Sequence, residues 1–592
     1  MALAYLLKTL MDETSNASDS TRLHALVIDH NARRNSHREA LAVSAWLEKM
    51  GISSTVDVID WKGQSPTQMT NFESEARTKR YNQLASLART NGIGHLFTGH
   101  HLDDQLETLL MRLIRGDNPS LLALRGMLSP TVVPECESLR GVHNAEPSVS
   151  MESIFRQDID IGLSETPPHM MAIQETRLGQ KLYTCDGAIL GLRHGGIALH
   201  RPFLQFTKDA LVATCEANGV PYVKDKTNDD PAFTRRNAIR VLRSRHKLPH
   251  ALQDPSLLRL SQTARDTLQV ISSRASKLLR GISILTFDFR SGVAYLRIPT
   301  SFASLVEEDN NVAAYIVAKL SSLVSSTSAD KQEALAPGSI TSLLWKSLSD
   351  RFWYAPGNLR PPKFTYNGVL FEGLHGLQSV VGNSTIWRLS RAPLTSQERE
   401  LLCPGFRPSG NPNNSTSPWL LWDHRFWIRI HLRLVSRTHL FKGPATDMMK
   451  AIRIRPYHID DAPKLKAVMR EKDWKKLQSI LHQCAAGKTR YTLPVLTFNG
   501  QVVAFPTLSK FLVCANECQS QIKSIGFGDS SFTWEVAYKL LPKDVSQWGS
   551  NITMTPADAE AAREHPGESS HGSFGLDTQE AESTVECRSA CG

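Results

Sequence analysis

The stretch Gly94-His95-Leu96-Phe97-Thr98-Gly99-His100-His101-Leu102-Asp103-Asp104-Gln105-Leu106-Glu107-Thr108 decides the fold. His95 to Thr98 reads as a short apolar strand, and Gly99 ends it. Asp104 to Gly116 reads as a helix, because Leu106, Leu109, Leu110, Leu113 and Ile114 form one apolar stripe and Gly116 is a stop signal. Two histidines and two aspartates therefore fall at a strand's C-terminal end, where a helix begins. In open α/β sheets that edge binds ligands. Asp104 and Glu107 are three apart and share a helical face, which suits a metal ion or a substrate amine. A single acidic residue there would only cap the helix and favour its dipole. Two histidines with Asp103, Asp104 and Glu107 exceed what capping needs, and they point to a site.

Working outward, strands and helices alternate. Met1 to Met11 reads as a helix and Leu23 to Asp29 as a buried strand ending in Asp29-His30-Asn31. Ser36 to Met50 is an amphipathic helix stopped by Gly51, Ser54 to Ile59 a strand, and Phe72 to Arg89 a helix carrying Glu75, Arg77, Arg80 and Tyr81. Such alternation implies parallel pairing through crossovers. Residues 129–181 lack sustained periodicity and read as a disordered insertion. Ile189 to Leu204 resumes as strand, ending in Arg201-Pro202-Phe203-Leu204. Lys208 to Asn218 is a helix, Lys224 to Arg240 a polar basic segment, and Leu258 to Ile284 strongly helical. β-rich pieces are expected around Trp419 to Leu434 and Tyr491 to Leu508, with a basic helical segment, Asp460 to Leu481, between them. The polar tail reads as disordered.

Bulk properties narrow the class. The chain has 592 residues, room for about three or four domains. Charged residues are 21% and hydrophobic residues 41%, an ordinary globular composition. A net charge of +10 leans toward a polyanionic partner, but on charge alone a solvated basic surface is the preferred reading. Nine cysteines include no Cys-x-x-Cys pair, which argues against an iron–sulfur or zinc-ribbon site and for reduced thiols in an intracellular compartment. No apolar run is long enough to span a membrane, so no membrane partner is expected. Met1 to Met11 lacks the pattern of a signal or transit peptide.

Several blocks, in order, resemble the tRNA(Ile)-lysidine synthetases of the N-type ATP pyrophosphatase (PP-loop) group. They are Val27-Ile28-Asp29-His30-Asn31-Ala32-Arg33; Phe72-Glu73-Ser74-Glu75-Ala76-Arg77-Thr78-Lys79-Arg80-Tyr81; Thr98 to Thr108 with Arg112-Leu113-Ile114-Arg115-Gly116; His200-Arg201-Pro202-Phe203-Leu204; and Asp225-Lys226-Thr227-Asn228 with Phe233-Thr234-Arg235-Arg236-Asn237-Ala238-Ile239-Arg240. The good match covers Met1 to about Arg240. The resemblance implies an α/β fold: a parallel-sheet, adenine-nucleotide alpha-hydrolase-like (PP-loop) domain over 1–245 with the insertion at 129–181. A helical domain over 246–357, a smaller α+β C-terminal region over 358–545 and a disordered tail over 546–592 would follow.

The resemblance also implies a ligase that uses ATP to adenylate the C2 oxygen of the wobble cytidine of tRNA(Ile), after which the ε-amine of free L-lysine displaces AMP. Mg2+ would offset triphosphate charge. His100, Asp104 and Arg77 would be catalytic, and Asp104 and Glu107 would bind lysine. Asp29, His30 and Arg80 would lie at the nucleotide, and Arg201, Arg235, Arg236 and Arg240 along the tRNA route. No metal ligand set is assigned. The sequence departs from the family at Lys226, usually proline. It also lacks the Ser-Gly-Gly-x-Asp-Ser loop, whose backbone N–H groups would close on pyrophosphate. Met1 to Leu7 looks like the helix after that loop. The domain is thus expected to lack its first strand and loop, and a polypeptide starting here to lack ATP-dependent lysine transfer. A catalytically inactive tRNA-binding protein and a related tRNA thiolase are the alternatives. The compartment implied is mitochondrial or cytoplasmic.

Overall fold

A computed structural model describes residues 1–14, 22–32, 35–63, 69, 71–114, 121–143, 172–175, 181–185, 188–190, 196–223, 235–244, 248–299, 302, 309–327, 363–374, 384–411, 414–433, 445–508 and 531–539. Alternation in the N-terminal part is as the sequence predicts: α1 (Ala2–Thr14), β1 (His24–Asp29), α2 (Ser36–Lys49), β2 (Ser53–Val58), α3 (Phe72–Thr90), β3 (His95–Phe97) and α4 (Leu102–Ile114). Strands β1 and β2 pair in parallel, from His24 opposite Ser53 to Asp29 opposite Val58. Short α5 (Leu121–Leu124) and β4 (Thr131–Val132) follow, then β5 (Ala172–Glu175), β6 (Lys181–Cys185), β7 (Ala188–Leu190) and β8 (Ala198–His200).

Strand β3 runs parallel to β8, with Phe97 opposite His200, and a further bridge joins His101 to Phe203. Strand β4 covers the other edge of β8 in antiparallel sense. No hydrogen bond among the described residues joins β1–β2 to β3–β8–β4. The two sheets nevertheless share a core in which Tyr81, Ala85 and Ala88 of α3 meet Leu199, Leu26 and Leu96. The α3 helix thus lies over both sheets, and its arginines are carried to the ends of their strands.

The leucine stripe of α4 does what its spacing implies. Leu106, Leu109 and Leu110 are buried and meet Ile239 and Leu257, each such side chain contributing about 1.5–3 kcal/mol. Ile239 comes from α7 (Arg235–Ser244) and Leu257 from α8 (Asp254–Leu279); α6 (Lys208–Ala217) precedes them. Packing on α4 therefore brings the basic α7 beside the acidic first turns of α4.

Two expectations change. Residues 131–143, inside the expected disordered insertion, are ordered: Val133, Cys136 and Val142 are fully buried beneath α3. Strands β5–β6–β7 form a small antiparallel sheet, while 144–171 lie outside the described residues. The expected helical domain over 246–357 is not all helix. After α8 come β9 (Ser283–Asp288) and β10 (Val293–Pro299), then α9 (Asn310–Ser321). Strand β10 alternates Ala294, Leu296 and Ile298 inward, a period of two.

Strands β11 (Lys363–Tyr366), β12 (Val369–Gly373) and β13 (Ser384–Arg391) join β9 and β10 in one sheet of order β11-β12-β13-β10-β9. That sheet crosses the expected boundary at 358. Beyond it, β14 (Ser409–Asn411), β15 (Asn414–Thr416), β16 (Leu420–Trp422), β17 (Phe426–Arg433) and β21 (Ser531–Tyr538) form a second sheet. A third comprises β18 (Ile452–Pro456), β19 (Pro494–Phe498) and β20 (Gln501–Ala504). The basic segment expected to be helical is so, as two helices, Asp461–Val468 and Glu471–Cys484. Fully buried Arg425 ties these layers by donating to Asp423 Oδ2 at 2.7 Å, Ser291 O at 3.0 Å and Thr492 O at 2.6 Å. The tail expected at 546–592 lies outside the described residues, and no described helix is long and apolar enough to cross a membrane.

Candidate active site

Gly99 to His101 leave β3 at its C-terminal end and lead into α4, with Thr98 N donating to His200 O at 2.9 Å and Leu102 N to Phe206 O at 2.8 Å. Those bonds hold the turn against β8 and set the directions of His100, His101, Asp103 and Asp104. Asp103 is structural. Its Oδ2 accepts from Lys208 N at 2.9 Å, at the start of α6, and its Oδ1 from Arg243 Nη2 at 3.1 Å. Arg243 also donates to Asp254 at 3.0 and 2.9 Å, so α4, α7 and α8 meet at one guanidinium. Burial would raise the Asp103 pKa, but the Lys208 N–H and Arg243 outweigh it and hold it below the usual value.

Asp104 turns the other way. Its Oδ2 accepts from His101 N at 3.1 Å and lies 3.4 Å from His101 Nε2, and its Oδ1 has no hydrogen-bond partner among the described residues. His100 stands beside it, Nδ1 within 2.9 Å of Thr98 Oγ1. Burial, and then Arg201, Arg80 and Arg77, push the His100 pKa down to about 4 against the pull of Asp104. At neutral pH His100 is therefore an uncharged imidazole next to a carboxylate.

Arg77, Arg80 and Arg201 make the opposite wall. Arg77 and Arg80 lie over the Tyr81 ring at 4.9 and 5.2 Å, an arrangement favourable for a guanidinium. Arg201 is only 5% exposed. Its Nη1 donates to Leu128 O at 2.7 Å and its backbone N to Ser129 Oγ at 2.8 Å. The Arg201 guanidinium and the Tyr81 hydroxyl pair with each other, and neither Arg201 Nε nor that hydroxyl makes a hydrogen bond to another described residue. Burial would raise the Tyr81 pKa, but Arg77, Arg80 and Arg201 bring it below normal. A dense positive field with unspent donors suits an anion with several oxygens, such as a phosphate group.

The remaining expected residues are placed differently. Glu107 is fully buried, and both its oxygens are taken: Arg240 Nε donates at 2.8 Å and Nη2 at 3.0 Å, with Arg236 Nε 3.6 Å away. Glu107 is therefore not open to a lysine amine, because α7 packs over its helical face. Arg240 is correspondingly committed to Glu107, Arg201 is buried beside Tyr81, and Arg235 alone of the four expected tRNA arginines is exposed. Asp29 is also spent locally. It accepts from Asn31 N at 2.8 Å and lies 3.2 Å from His37 Nδ1, so it shapes the β1–α2 turn rather than facing a nucleotide. His30, next to it, lends its carbonyl to Trp61 Nε1 at 2.8 Å.

No three His, Cys, Asp or Glu side chains converge as a metal cage among the described residues. Mg2+ does not need such a cage: it is usually held by one or two carboxylates together with phosphate oxygens and water. Sequence reasoning missed Tyr81 as a pocket wall, although it closes the Arg77-x-x-Arg80-Tyr81 run. It also missed Glu135, which lies 3.4 Å from Arg77.

Comparison with known proteins bears on the fold and the family. A family model described as a PP-loop domain matches residues 1–152 and 186–244. These residues form a PP-loop domain. The chain is similar to the probable tRNA(Ile)-lysidine synthase of Schizosaccharomyces pombe, 25% identical over 488 residues, covering 82% of this chain and 84% of that one. It is similar also to the tRNA(Ile)-lysidine synthase of Methylobacterium nodulans, 29% identical over 279 residues, 46% of this chain and 62% of that one. The counterpart from Mesorhizobium japonicum is 41% identical over 126 residues, 21% of this chain and 26% of that one. Among solved structures, the U34-tRNA thiolase of Methanococcus maripaludis with its 4Fe-4S cluster matches at a TM-score of 0.27 and 13% identity, over 45% of this chain and 68% of that one. That likeness is too slight to bear on function. The PP-loop domain thus holds the turn at Gly99 to Asp104, the arginines of α3, and α7.

Proposed function

We propose that the protein ligates L-lysine to C2 of the wobble cytidine of tRNA(Ile) at the expense of ATP, through an adenylated tRNA. Support comes from the pocket in which Arg77, Arg80 and Arg201 face a neutral His100 and Asp104 at the end of parallel strands, within a PP-loop domain and a chain similar to proteins named for that reaction. In the first step the cytidine O2 attacks the α-phosphate of ATP and pyrophosphate leaves. The arginines bind phosphate oxygens, with the buried Arg201 and the Tyr81 hydroxyl it pairs with forming the floor behind them. Adenylation turns a poor leaving oxygen into AMP. In the second step the lysine ε-amine attacks C2 and AMP departs. The amine arrives as an ammonium, and it must lose a proton before attack.

Asp104 Oδ1 accepts one ammonium hydrogen bond. His100, uncharged at neutral pH, accepts a second, and the proton passes on to water, because an imidazole whose pKa is pushed down to about 4 is too weak a base to keep it. Mg2+ would enter on the triphosphate rather than on a protein cage.

The observation that carries the proposal is the juxtaposition of the three guanidinium groups with His100 and Asp104. Incubating the full chain with a tRNA(Ile) transcript, ATP and radiolabelled lysine tests it. Because the sequence lacks the Ser-Gly-Gly-x-Asp-Ser loop, the chain alone is expected to transfer little lysine, and label in the tRNA together with AMP is expected when a first strand and that loop are fused ahead of Met1; no label from the fused protein, label that appears equally without ATP, or label from cysteine instead of lysine refutes it.

A further inference from the structure

Residues 131–143 connect the arginine pocket with the C-terminal part of the chain. Their backbone is held at both ends: Thr131 and Val132 pair with β8, Arg89 Nη1 donates to Arg140 O at 2.7 Å, and Ile197 N donates to Val142 O at 2.8 Å. Between these anchors Val133 and Cys136 are fully buried. Glu135, lying between them, has φ +60°, a left-handed backbone uncommon for a residue with a side chain and often met at functional sites. Its Oε1 is 3.4 Å from Arg77 Nε. At the other end the Arg140 guanidinium lies 3.6 Å from the ring centroid of Trp419, and Arg429 of β17 lies 4.8 Å from the same ring. Trp419 immediately precedes β16 of the C-terminal sheet.

We propose that residues 131–143 form a strap that positions Arg77 for its phosphate ligand, with Glu135 as the positioning residue and Trp419 as the anchor that holds the strap. The proposal rests on reading Arg77 as a phosphate ligand. The geometry has the right sense. Glu135 takes the Nε side of the guanidinium, and the terminal nitrogens of Arg77 have no hydrogen-bond partner among the described residues, so the fork that grips phosphate stays open. The Arg77 and Glu135 side chains are 40% and 41% exposed, and an ion pair that exposed is weak on its own. It can orient Arg77 without competing strongly with a phosphate, but only if Glu135 is itself held still. The buried neighbours and the Arg140–Trp419 contact do that. The C-terminal sheet would then tune the anion pocket through one loop.

Site-resolved labelling tests this without depending on turnover. The full chain is treated with phenylglyoxal, with and without pyrophosphate, and labelling of Arg77 and Arg80 is followed by peptide mass spectrometry in wild type, Glu135→Gln, Arg140→Gln and Trp419→Leu. Arg77 should label roughly threefold faster in each variant, the size expected of losing one half-exposed ion pair, while Arg80 on the same helix stays unchanged. Pyrophosphate should protect Arg77 in the wild type and do so at higher concentration in the variants. An unchanged Arg77 rate in Glu135→Gln overturns the proposal, as does an equal rise at Arg80, which would mean that α3 has simply loosened. A rise in Glu135→Gln with none in Arg140→Gln or Trp419→Leu removes the anchor and overturns the strap. Selective rises in all three without pyrophosphate protection support the strap and count against the phosphate reading on which it was built.

Discussion

Replacing Arg240 by methionine tests how the acidic face of α4 is used. Glu107 is fully buried and receives two hydrogen bonds from Arg240, at 2.8 and 3.0 Å. Removing one partner of a buried ion pair costs about 3–5 kcal/mol, mostly because the remaining charge is stranded. Arg236 stays 3.6 Å from Glu107, and the Arg240 side chain is 30% exposed. Both reduce the figure, and Arg240→Met is expected to cost about 2–3 kcal/mol. Glu107→Gln is the milder change. It leaves two partly exposed arginines that water can solvate and keeps a hydrogen-bonding amide, so about 1 kcal/mol is expected. The double variant should resemble Glu107→Gln, because once the buried charge is gone Arg240 has less to do. A chain with several sheets need not unfold in one step, so hydrogen-exchange protection of the α4 and α7 amides is the proper measure, with urea melts in support. If Arg240→Met proves no more costly than Glu107→Gln, Glu107 is not held by the arginines as the geometry indicates. It would then be available to a substrate amine after all.

Three further outcomes follow from the same geometry. The folded pKa of His100 is depressed to about 4, so its contribution to stability is complete above its unfolded value near 6.5 and declines as pH falls from there toward 4; His100→Asn should flatten that part of a pH–stability curve, and an unchanged slope would count against the buried neutral imidazole. The Asp29 pKa is lowered because its bonds to Asn31, Ser36 and His37 outweigh the burial that would raise it, so it stabilises the fold above a pH of about 4 and that stability is lost as pH falls through its lower folded value; Asp29→Asn should remove this acid sensitivity in thermal melts while changing ATP affinity little. Arg201→Gln should weaken pyrophosphate or ATP binding about tenfold or more, the worth of a charge-assisted hydrogen bond, read as a smaller ligand-induced rise in melting temperature; full retention of that rise would remove Arg201 from the anion pocket.

The elements that position the site were legible because they are local. The α4 stripe repeats at helical spacing, β3 is short and ends at glycine, and the α3 and α2 helices carry their own stops. What was not legible depends on partners far away in sequence. Strands β9 and β10 follow a 26-residue helix, and β10 finds its neighbour β13 some ninety residues later, so the inward alternation of Ala294, Leu296 and Ile298 was read as a continuation of helix. The ordered strap was hidden by polar and proline residues. Its structure comes from Val133, Cys136 and Val142 sinking under α3, too sparse a pattern to register as periodicity. In the site, spacing correctly put Asp104 and Glu107 on one side of a helix. Spacing cannot say what covers that side, and α7 arrives from more than a hundred residues downstream.

That covering divides the labour between the two carboxylates. Glu107, one turn further into α4, lies where Ile239 and Leu257 seal the leucine stripe from water; an unpaired carboxylate there would be untenable, so Arg240 neutralises it and α7 is fixed in orientation as a consequence. Asp104 sits at the mouth of the helix, 19% exposed on its side chain, one oxygen tied to His101 and the other with no partner among the described residues. A lysine ammonium entering the proposed reaction meets Asp104 and His100 without having to displace an arginine, whereas reaching Glu107 would mean breaking two hydrogen bonds and opening the α4–α7 contact. Substitution at Asp104 should therefore raise the lysine KM while leaving the protection of α7 intact, and substitution at Glu107 should lower α7 protection first. The reverse pattern would assign the amine to the buried carboxylate.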